Sequence, residues 1–525
     1  MLDWTWSFSD WIILFAVLLA VLYWLGTSNH NHFSKKNVPF IKPIPFMGNL
    51  RRNLFFPQLI IKCYNDLKDH QYGGMFFFRN PTLLIRDPEL IKTITIKDFD
   101  SFTDHRTVFS ELSEPIWSRG LFSLKGQRWK EMRATLSPAF TSSKMKTMFV
   151  LVSECCQQFV RYLEDSSQHP HHEGYKIEQD GDTLILELKD FYTRYTNDVI
   201  ATTAFGIGVD SLKQPKNEFY MMGQDATNLG GLRIFKWIFF VMMPKVTQVL
   251  RMSVMPKKVS EFFTSLVLDT MATREREGIV RPDMLQLLMQ AKRGNLHDEH
   301  SDYEVKDTKR QLDDTDIIAQ ALLFFLAGFD TASTLLCFTS YELAVNPEIQ
   351  TRLQQEIDET LKEGGGKFTY EAVNSMKYLD MVVSETLRLY PPAAAVDRVC
   401  VRQYTLNADP PCEMSPGEAL FIPIIGLHRD PEYFPDPERF DPERFSEENK
   451  AKINPLTYIP FGMGPRICIG NRFALMEVKL AVVHLLSRFT LKVVAKTPVP
   501  LKIVQKGFNM SIDGGFWLGL DKRST

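Results

Sequence analysis

The chain has 525 residues, of which 44% are hydrophobic and 24% charged, a balance that excludes disordered, collagen-like and coiled-coil classes. Its length admits about three or four domains of ordinary size. Lys and Arg total 61 against 63 for Asp and Glu, so a net charge of −2 offers no overall attraction to nucleic acid, and an electrostatic partner must meet a local patch. Seven cysteines spread along the chain, an odd number, make no disulfide framework and fit a reducing compartment. The 39 phenylalanines predict a large apolar interior or pocket.

From Trp11 to Leu25 the chain is apolar and uncharged. Reaching back over Trp4 to Ser9 makes the stretch long enough to span a bilayer, with Asp10 near one end. A cleaved signal peptide is the competing reading, but Asp3 and Asp10 stand where such a peptide carries bases. The bases follow the apolar run, at Lys35, Lys36 and Lys42, which predicts a luminal N-terminus and a cytosolic body. Residues 1–30 therefore read as an anchor. Pro39, Pro43 and Pro45 stiffen the run Val38 to Pro45 and forbid helix continuation, so residues 31–50 read as a basic, proline-rich hinge. Residues 51–525 form the body.

The body shows long helical patterns with short strand-like runs and no internal repeat, which predicts a mainly α fold with small β-sheets. At Arg128 to Arg133, the spacing W-x-x-x-R places Trp129 and Arg133 on one helical face. Between Lys125 and Lys146 the bases Lys125, Arg128, Lys130, Arg133, Lys144 and Lys146 face a single acid, Glu131. Two polar stretches, Asp165 to Asp182 and Arg293 to Asp314, read as surface loops. His169, His171 and His172 in the first could hold a metal, but the hydrophilic setting with Pro170 and Gly174 favours a solvated loop. Leu232 to Val241 mixes aromatics with bases and reads as a membrane-surface contact.

Ile317 to Tyr341 carries one charge, Asp330. A second membrane span competes here, but an acid near its centre costs about 2.5–3.5 kcal/mol. Glu385 and Arg388, three apart, share a helical face; alone they would make a surface ion pair, yet the helix around them is apolar. Downstream, Phe440-Asp441-Pro442-Glu443-Arg444-Phe445 repeats almost the pattern of Pro437-Glu438-Arg439-Phe440. No P-loop, HExxH or paired CxxC occurs, and Gly462-Met463-Gly464 lacks the third glycine and the acid of a dinucleotide fingerprint. The chain is therefore not expected to bind its own nicotinamide or flavin.

The most specific signal is late. Phe461, Gly464, Arg466, Cys468 and Gly470 fit F-x-x-G-x-R-x-C-x-G, which average composition yields on the order of once in ten thousand chains of this length. An inert cysteine in a Gly-rich turn is the competing reading. The segment resembles the haem-binding loop of cytochrome P450, with Cys468 as the proximal iron ligand. A thiolate on iron pushes electron density toward bound oxygen and favours O–O cleavage. Gly464 and Gly470 are expected to permit a tight turn around the sulfur, and the helix from about Asn471 to aim free N–H groups at it.

The resemblance implies haem b as cofactor and a structural triad of Glu385, Arg388 and Arg444, with Arg439 the alternative third member. It implies that Arg466, Trp129 and Arg133 meet haem propionates, as does Arg398 in the strand-like run Val396 to Val399; Arg106 and His105 stay unassigned. The run Ile317 to Tyr341 becomes the central helix over the haem, with Ala327 to Thr331 as its oxygen-binding turn. Gly328 weakens the helix, the Thr331 hydroxyl can bond back one turn, and Asp330 with Thr331 can relay protons. Substrate contacts are placed at Phe122, Phe325, Phe329, Ala394 and Val396.

The implied activity is oxygen insertion into a lipophilic substrate, a xenobiotic, plant toxin or insecticide, with an endogenous lipid or hormone as the other class. Electrons would come from NADPH-cytochrome P450 reductase, docked on the basic face together with Arg472 and Lys479; a contribution from cytochrome b5 stays open. The implied location is the endoplasmic reticulum membrane. The segment Phe461 to Lys479, the hinge and the loop lengths are most similar to insect xenobiotic-metabolising enzymes. Two rivals remain: a reductase-independent haem-thiolate isomerase or dehydratase, which has no need of the acid–alcohol pair, and a non-catalytic haem protein that binds lipophiles.

Overall fold

The computed structural model describes residues 8–50, 55–106, 109, 111–168, 177–228, 230, 232–293, 312–506 and 509–523. His169, His171, His172 and residues 294–311 lie outside these. The described chain gathers into two discontinuous units.

The first unit holds the residues up to Arg106, Ala394–Leu427 and Met463–Pro465. Its first helix, α1 (Phe8–Thr27), is 20 residues long, enough to cross a bilayer, and its side chains from Trp11 to Leu25 stand exposed. At its end Gly26 lets the Phe46 ring approach to where a Cβ would stand only 2.7 Å away. The hinge then docks on a sheet. Phe33 is buried over Gly74, the Ile41 N–H donates to the Gly74 carbonyl (2.9 Å), and Lys36 reaches Glu418 at 2.6 Å.

That sheet contains β1 (Tyr72–Phe77), β2 (Asn80–Ile85), β3 (Val396–Val399) and β4 (Ala419–Ile422), in the order β1-β2-β4-β3. β1 and β2 form an antiparallel hairpin, β2 runs parallel to β4 with Thr82 opposite Ala419, and β3 is antiparallel to β4 with Arg398 opposite Leu420. Strand alternation sends Asp397 and Arg398 to opposite faces.

The second unit is mainly helical. It includes α2 (Gly126–Leu136), α3 (Leu188–Ile200), α4 (Leu232–Met242), α5 (Pro244–Val249), α6 (Asp314–Val345), α7 (Lys377–Leu389) and α8 (Asn471–Leu486). An antiparallel sheet joins Ile177–Asp180, Thr183–Glu187, Trp517–Lys522 and Phe489–Lys492. The 32-residue α6 starts on a box in which Asp313 accepts from the Asp316 N–H (2.7 Å) and the Asp316 carboxylate takes the Asp313 N–H (3.3 Å). It stops at Asn346, ahead of Pro347, as the residue before a proline disfavours helix.

α6 is the core helix of this unit, buried over Asp316–Leu322 and Ala332–Ala344, and its apolar composition serves protein packing. α3 runs antiparallel along it. Tyr192 hydroxyl meets Ser340 at 2.6 Å, Thr196 hydroxyl donates to the Phe329 carbonyl at 2.7 Å, and Ile200 packs on Gly328. A Cβ on Gly328 would stand 2.5 Å from the Ile200 side chain. The helix runs unbroken through Gly328, and the glycine permits this close approach.

Candidate functional site

The segment from Ile459 to Gly470 is tied by short-range hydrogen bonds: the Gly462 N–H donates to the Ile459 carbonyl at 2.9 Å, and the Cys468 N–H to the Phe461 carbonyl at 3.0 Å. Gly462 and Gly464 take φ of +79° and +73°, values that favour glycine, and a Cβ on Gly464 would meet the Thr95 carbonyl oxygen at 2.0 Å. Gly470 differs from expectation. Its φ of −91° needs no glycine, and it serves as N-cap of α8 with its N–H toward the Cys468 sulfur.

Six of the seven cysteines are buried and Cys468 is exposed. Even so, burial pushes its thiol up, opposed by the Gly470 N–H and by the Arg133 charge. A sulfur that solvent reaches while protein surrounds it lines a recess. Around it α2 supplies Trp129 and Arg133, one helical turn apart as the spacing required. Arg133 donates to the Ile467 carbonyl at 2.9 Å; the Arg466 guanidinium stacks 4.1 Å from the Trp129 ring centre and donates to the carbonyls of Leu124 (2.7 Å) and Leu121 (3.3 Å). Trp129, Arg133, Arg466 and Cys468 are thus brought together.

On α6 the open face carries Leu323, Phe324, Ala327 and Thr331, with Ala327 the most exposed. Phe325 and Phe329, expected at the substrate, are 0% and 2% exposed. They point the other way, into a cluster with Phe205, Phe219, Phe263 and Tyr220, because neighbouring helix positions lie about 100° apart. Phe324 is the aromatic on the open face. Its ring meets Phe140 at 5.6 Å, and Phe140 in turn lies 3.8 Å from a Cβ built on Gly470, so one phenylalanine adjoins both the α6 face and the cysteine loop. Phe122 is 53% exposed.

Thr331 donates its hydroxyl to the Ala327 carbonyl at 2.5 Å, the back-bond the sequence led us to expect. Asp330 is held by a residue the sequence reading did not single out. Lys189, from α3, contacts the Asp330 carboxylate at 2.5 Å and also donates to Ser333 (2.8 Å) and Thr334 (2.9 Å). No motif marks Lys189; only the α3–α6 alignment brings it there.

Glu385 and Arg388 on α7 are both fully buried. Arg388 donates from Nε and Nη2 to the two carboxylate oxygens, each at 2.7 Å, and from Nη1 to the carbonyls of His428 (2.9 Å) and Pro437 (2.8 Å). Glu385 also accepts the Asp441 N–H (2.9 Å) and pairs with Arg444 at 3.4 Å. Arg444 therefore supplies the third side chain, while Arg439 contributes its carbonyl to Arg388. Burial pushes the Glu385 carboxyl up, and the Arg388 fork opposes it most.

In the first unit Arg398 is 1% exposed, donates Nη1 to the Asp397 carbonyl at 2.7 Å, and leaves its Nε without a partner among the described residues. Burial lowers its pKa to about 10, so it stays charged at neutral pH. Asp397 accepts from His105 Nδ1 at 2.9 Å and from the Arg106 N–H. Ala394 is buried and Val396 half-buried. A buried guanidinium with an unused donor calls for an anion. Within the second unit, a reachable thiol beside an N–H and a cation, with an apolar face that carries one hydroxyl, fits haem b, which Cys468 would hold by its iron and Arg133 and Arg466 by its propionates.

Removing one partner of the buried lock should be far worse than a surface charge change. We expect Arg388→Leu to lose about 3–5 kcal/mol in urea unfolding, because the buried Glu385 loses both guanidinium bonds and keeps only the Asp441 N–H and the longer Arg444 contact, whereas Lys502→Leu at the surface shifts stability within about 0.5 kcal/mol.

Comparison with known proteins agrees with this geometry. A family model described as Cytochrome P450 matches residues 38–518. The chain is 58% identical to Cytochrome P450 9e2 of Blattella germanica, over 99% of this chain and 98% of that protein. It is 40% identical to Probable cytochrome P450 9f2 of Drosophila melanogaster, covering 98% and 99% of the two chains, and 37% identical to Cytochrome P450 6k1 of Blattella germanica, covering 98% of each. With the Cys468 loop, the Glu385–Arg388–Arg444 lock and these matches across almost its whole length, the chain belongs to the cytochrome P450 family of haem-thiolate monooxygenases.

Proposed function

We propose that this chain is a microsomal monooxygenase that oxidises lipophilic xenobiotics with electrons from NADPH-cytochrome P450 reductase. Residues 1–30 are its anchor in the endoplasmic reticulum membrane, 31–50 the hinge, and 51–525 a haem domain on the cytosolic side. The observation that carries the reading is Cys468, the one exposed cysteine, set under the Gly470 N–H and beside Arg133. Bound haem supplies the activation of O₂. The protein's part is to hold the thiolate, keep the site apolar and deliver protons.

Burial pushes the Cys468 thiol up, and the Gly470 N–H and the Arg133 cation oppose that push, favouring the thiolate that bound haem would take. The Trp129–Arg133–Arg466 group would hold the propionates, and the unused Nε of Arg398, in the first unit, suits the same kind of anion. Phe324, Ala327 and Thr331 face the substrate side. Asp330 holds a proton at its carboxylate once Lys189 lets go, and Thr331 passes it on through its hydroxyl. That acid–alcohol pair favours oxygen insertion over the reductase-independent isomerase or dehydratase, which needs no proton delivery. Asp330→Asn should cut product formed per NADPH by about a hundredfold while leaving ligand affinity unchanged; an unaltered yield would remove Asp330 from the relay.

The reductase surface is narrower than the run of bases implied. Lys479 is buried and paired with Asp380 at 2.9 Å, Arg128 pairs with Glu111, and Lys146 with Glu371. Lys125, Lys130, Lys144 and Arg472 are exposed. In a mixture of protein, reductase, NADPH and a lipophilic substrate, we expect NADPH consumption that Cys468→Ser abolishes. Charge reversal at Lys130 and Lys144 should slow reduction several-fold and flatten its salt dependence. Equal rates and slopes would exclude this face as the dock.

α4 and α5 present Ile234, Phe235, Val246, Val249 and Leu250 outward, while Trp237 turns inward onto Phe109 at 5.8 Å. An apolar outer face interleaved with Lys236 fits a lipid surface. Phe235→Glu with Val249→Glu should release anchor-deleted protein from phospholipid vesicles in a flotation assay; retention would show that the membrane is met elsewhere.

A further inference from the structure

One buried histidine joins the Glu385–Arg388 lock to the start of the cysteine loop. The ring of His428 is fully buried; its Nδ1 lies 3.2 Å from the Arg388 carbonyl oxygen, and its Nε2 lies 3.0 Å from the Ile459 N–H. A carbonyl only accepts and an N–H only donates, so these partners assign a neutral ring with its proton on Nδ1. Burial and then the Arg388 charge lower the pKa to about 3, which keeps Nε2 an acceptor throughout the working range. The His428 carbonyl takes a hydrogen bond from Arg388 Nη1 at 2.9 Å, so ring and backbone both bind the lock. The ring also stacks on Tyr458, centroids 5.3 Å apart, and the Tyr458 hydroxyl donates to the Ser384 carbonyl at 3.0 Å. Ile459 is where the loop begins: its carbonyl takes the Gly462 N–H, and two residues later the Phe461 carbonyl takes the Cys468 N–H.

We propose that His428 is a positioning residue for the iron ligand: its Nε2, by accepting the Ile459 N–H, fixes the Cys468 loop relative to α7, and thiolate ligation depends on that single acceptor. The proposal rests on Cys468 as the ligand, which the spectrum of the unmodified protein tests by itself. It accounts for a feature that volume alone does not, since an apolar ring of the same size would fill the space but leave both the Ile459 N–H and the Arg388 carbonyl without a partner.

Two variants separate the two nitrogens. His428→Gln places an amide oxygen within reach of Nε2's position, and His428→Asn keeps a donor at Nδ1's position while removing the acceptor. The measurement is the spectrum of the reduced, carbon monoxide-bound holoprotein, which distinguishes thiolate from neutral-thiol ligation, together with hydrogen exchange at the Ile459 amide. We expect His428→Gln to resemble the unmodified protein. His428→Asn should raise the ratio of neutral-thiol to thiolate form roughly tenfold and speed Ile459 exchange by a similar factor, the size set by one buried hydrogen bond. Equal spectra for the two variants, whether both intact or both lost, would overturn the proposal, as would Ile459 protection that does not differ between them. The exchange arm decides the His428–Ile459 tie even if haem is lost. An absent thiolate band in the unmodified protein would instead refute Cys468 as ligand.

Discussion

A carboxylate and a guanidinium without any solvent exposure can exist only if every donor and acceptor is used, and that demand on Glu385 and Arg388 organises the chain beneath the cysteine. Both sit on one helix, three residues apart, so their pairing costs no long-range ordering. What remains of the guanidinium must find oxygen elsewhere. It takes the carbonyls of His428, Pro437 and Arg439, three points on a segment that contains no long helix. Asp441 N–H and Arg444 complete Glu385. An irregular stretch is thereby given fixed coordinates by a single planar cation, a task that the fork of arginine performs and the point charge of lysine would not.

The oxygen side of the site obeys a different constraint, that of close helix packing. Gly328 allows Ile200 to press against α6, and once α3 lies that near, its polar residues have to be satisfied along the seam. Thr196 takes a carbonyl, Tyr192 a serine, and Lys189 spans Asp330, Ser333 and Thr334. The acid proposed to handle protons therefore does not stand alone in an apolar site. Its counter-charge comes from the opposite helix, which offsets the cost of holding a carboxylate there.

Where sequence spacing sufficed, the residues were legible: Trp129 with Arg133, Glu385 with Arg388, and the Thr331 back-bond all follow from positions within one helical turn, whose geometry is fixed by the chain itself. The cysteine loop was legible because Phe461, Gly464, Arg466, Cys468 and Gly470 co-occur at a spacing that chance seldom produces, although of the two glycines given to the turn only Gly464 takes a positive φ. Direction was not. Phe324 and Phe325 are adjacent and chemically identical, and only the packing of Phe205, Phe219 and Phe263 decides which one turns inward. Lys189 and His428 were equally hidden, since each acts through partners more than 30 residues away with no spacing rule to connect them. Lys479 read as a surface cation because a charge in sequence carries no record of whether an acid such as Asp380 waits beside it.

The two longest apolar runs show the same limit most plainly. α1 and α6 both pass any test of length and hydropathy for crossing a bilayer. Hydropathy counts what a segment is made of, whereas burial depends on what lies against it. α1 has exposed side chains along its length, the exposure a membrane anchor would show. α6 is covered by α3 and its neighbours, and its one central charge is met by a lysine at 2.5 Å where a bilayer would exact about 2.5–3.5 kcal/mol for the same acid. Asp330 is thus the residue that separates the two fates: an acid that lipid would reject is tolerated within the protein because a second helix brings it a cation.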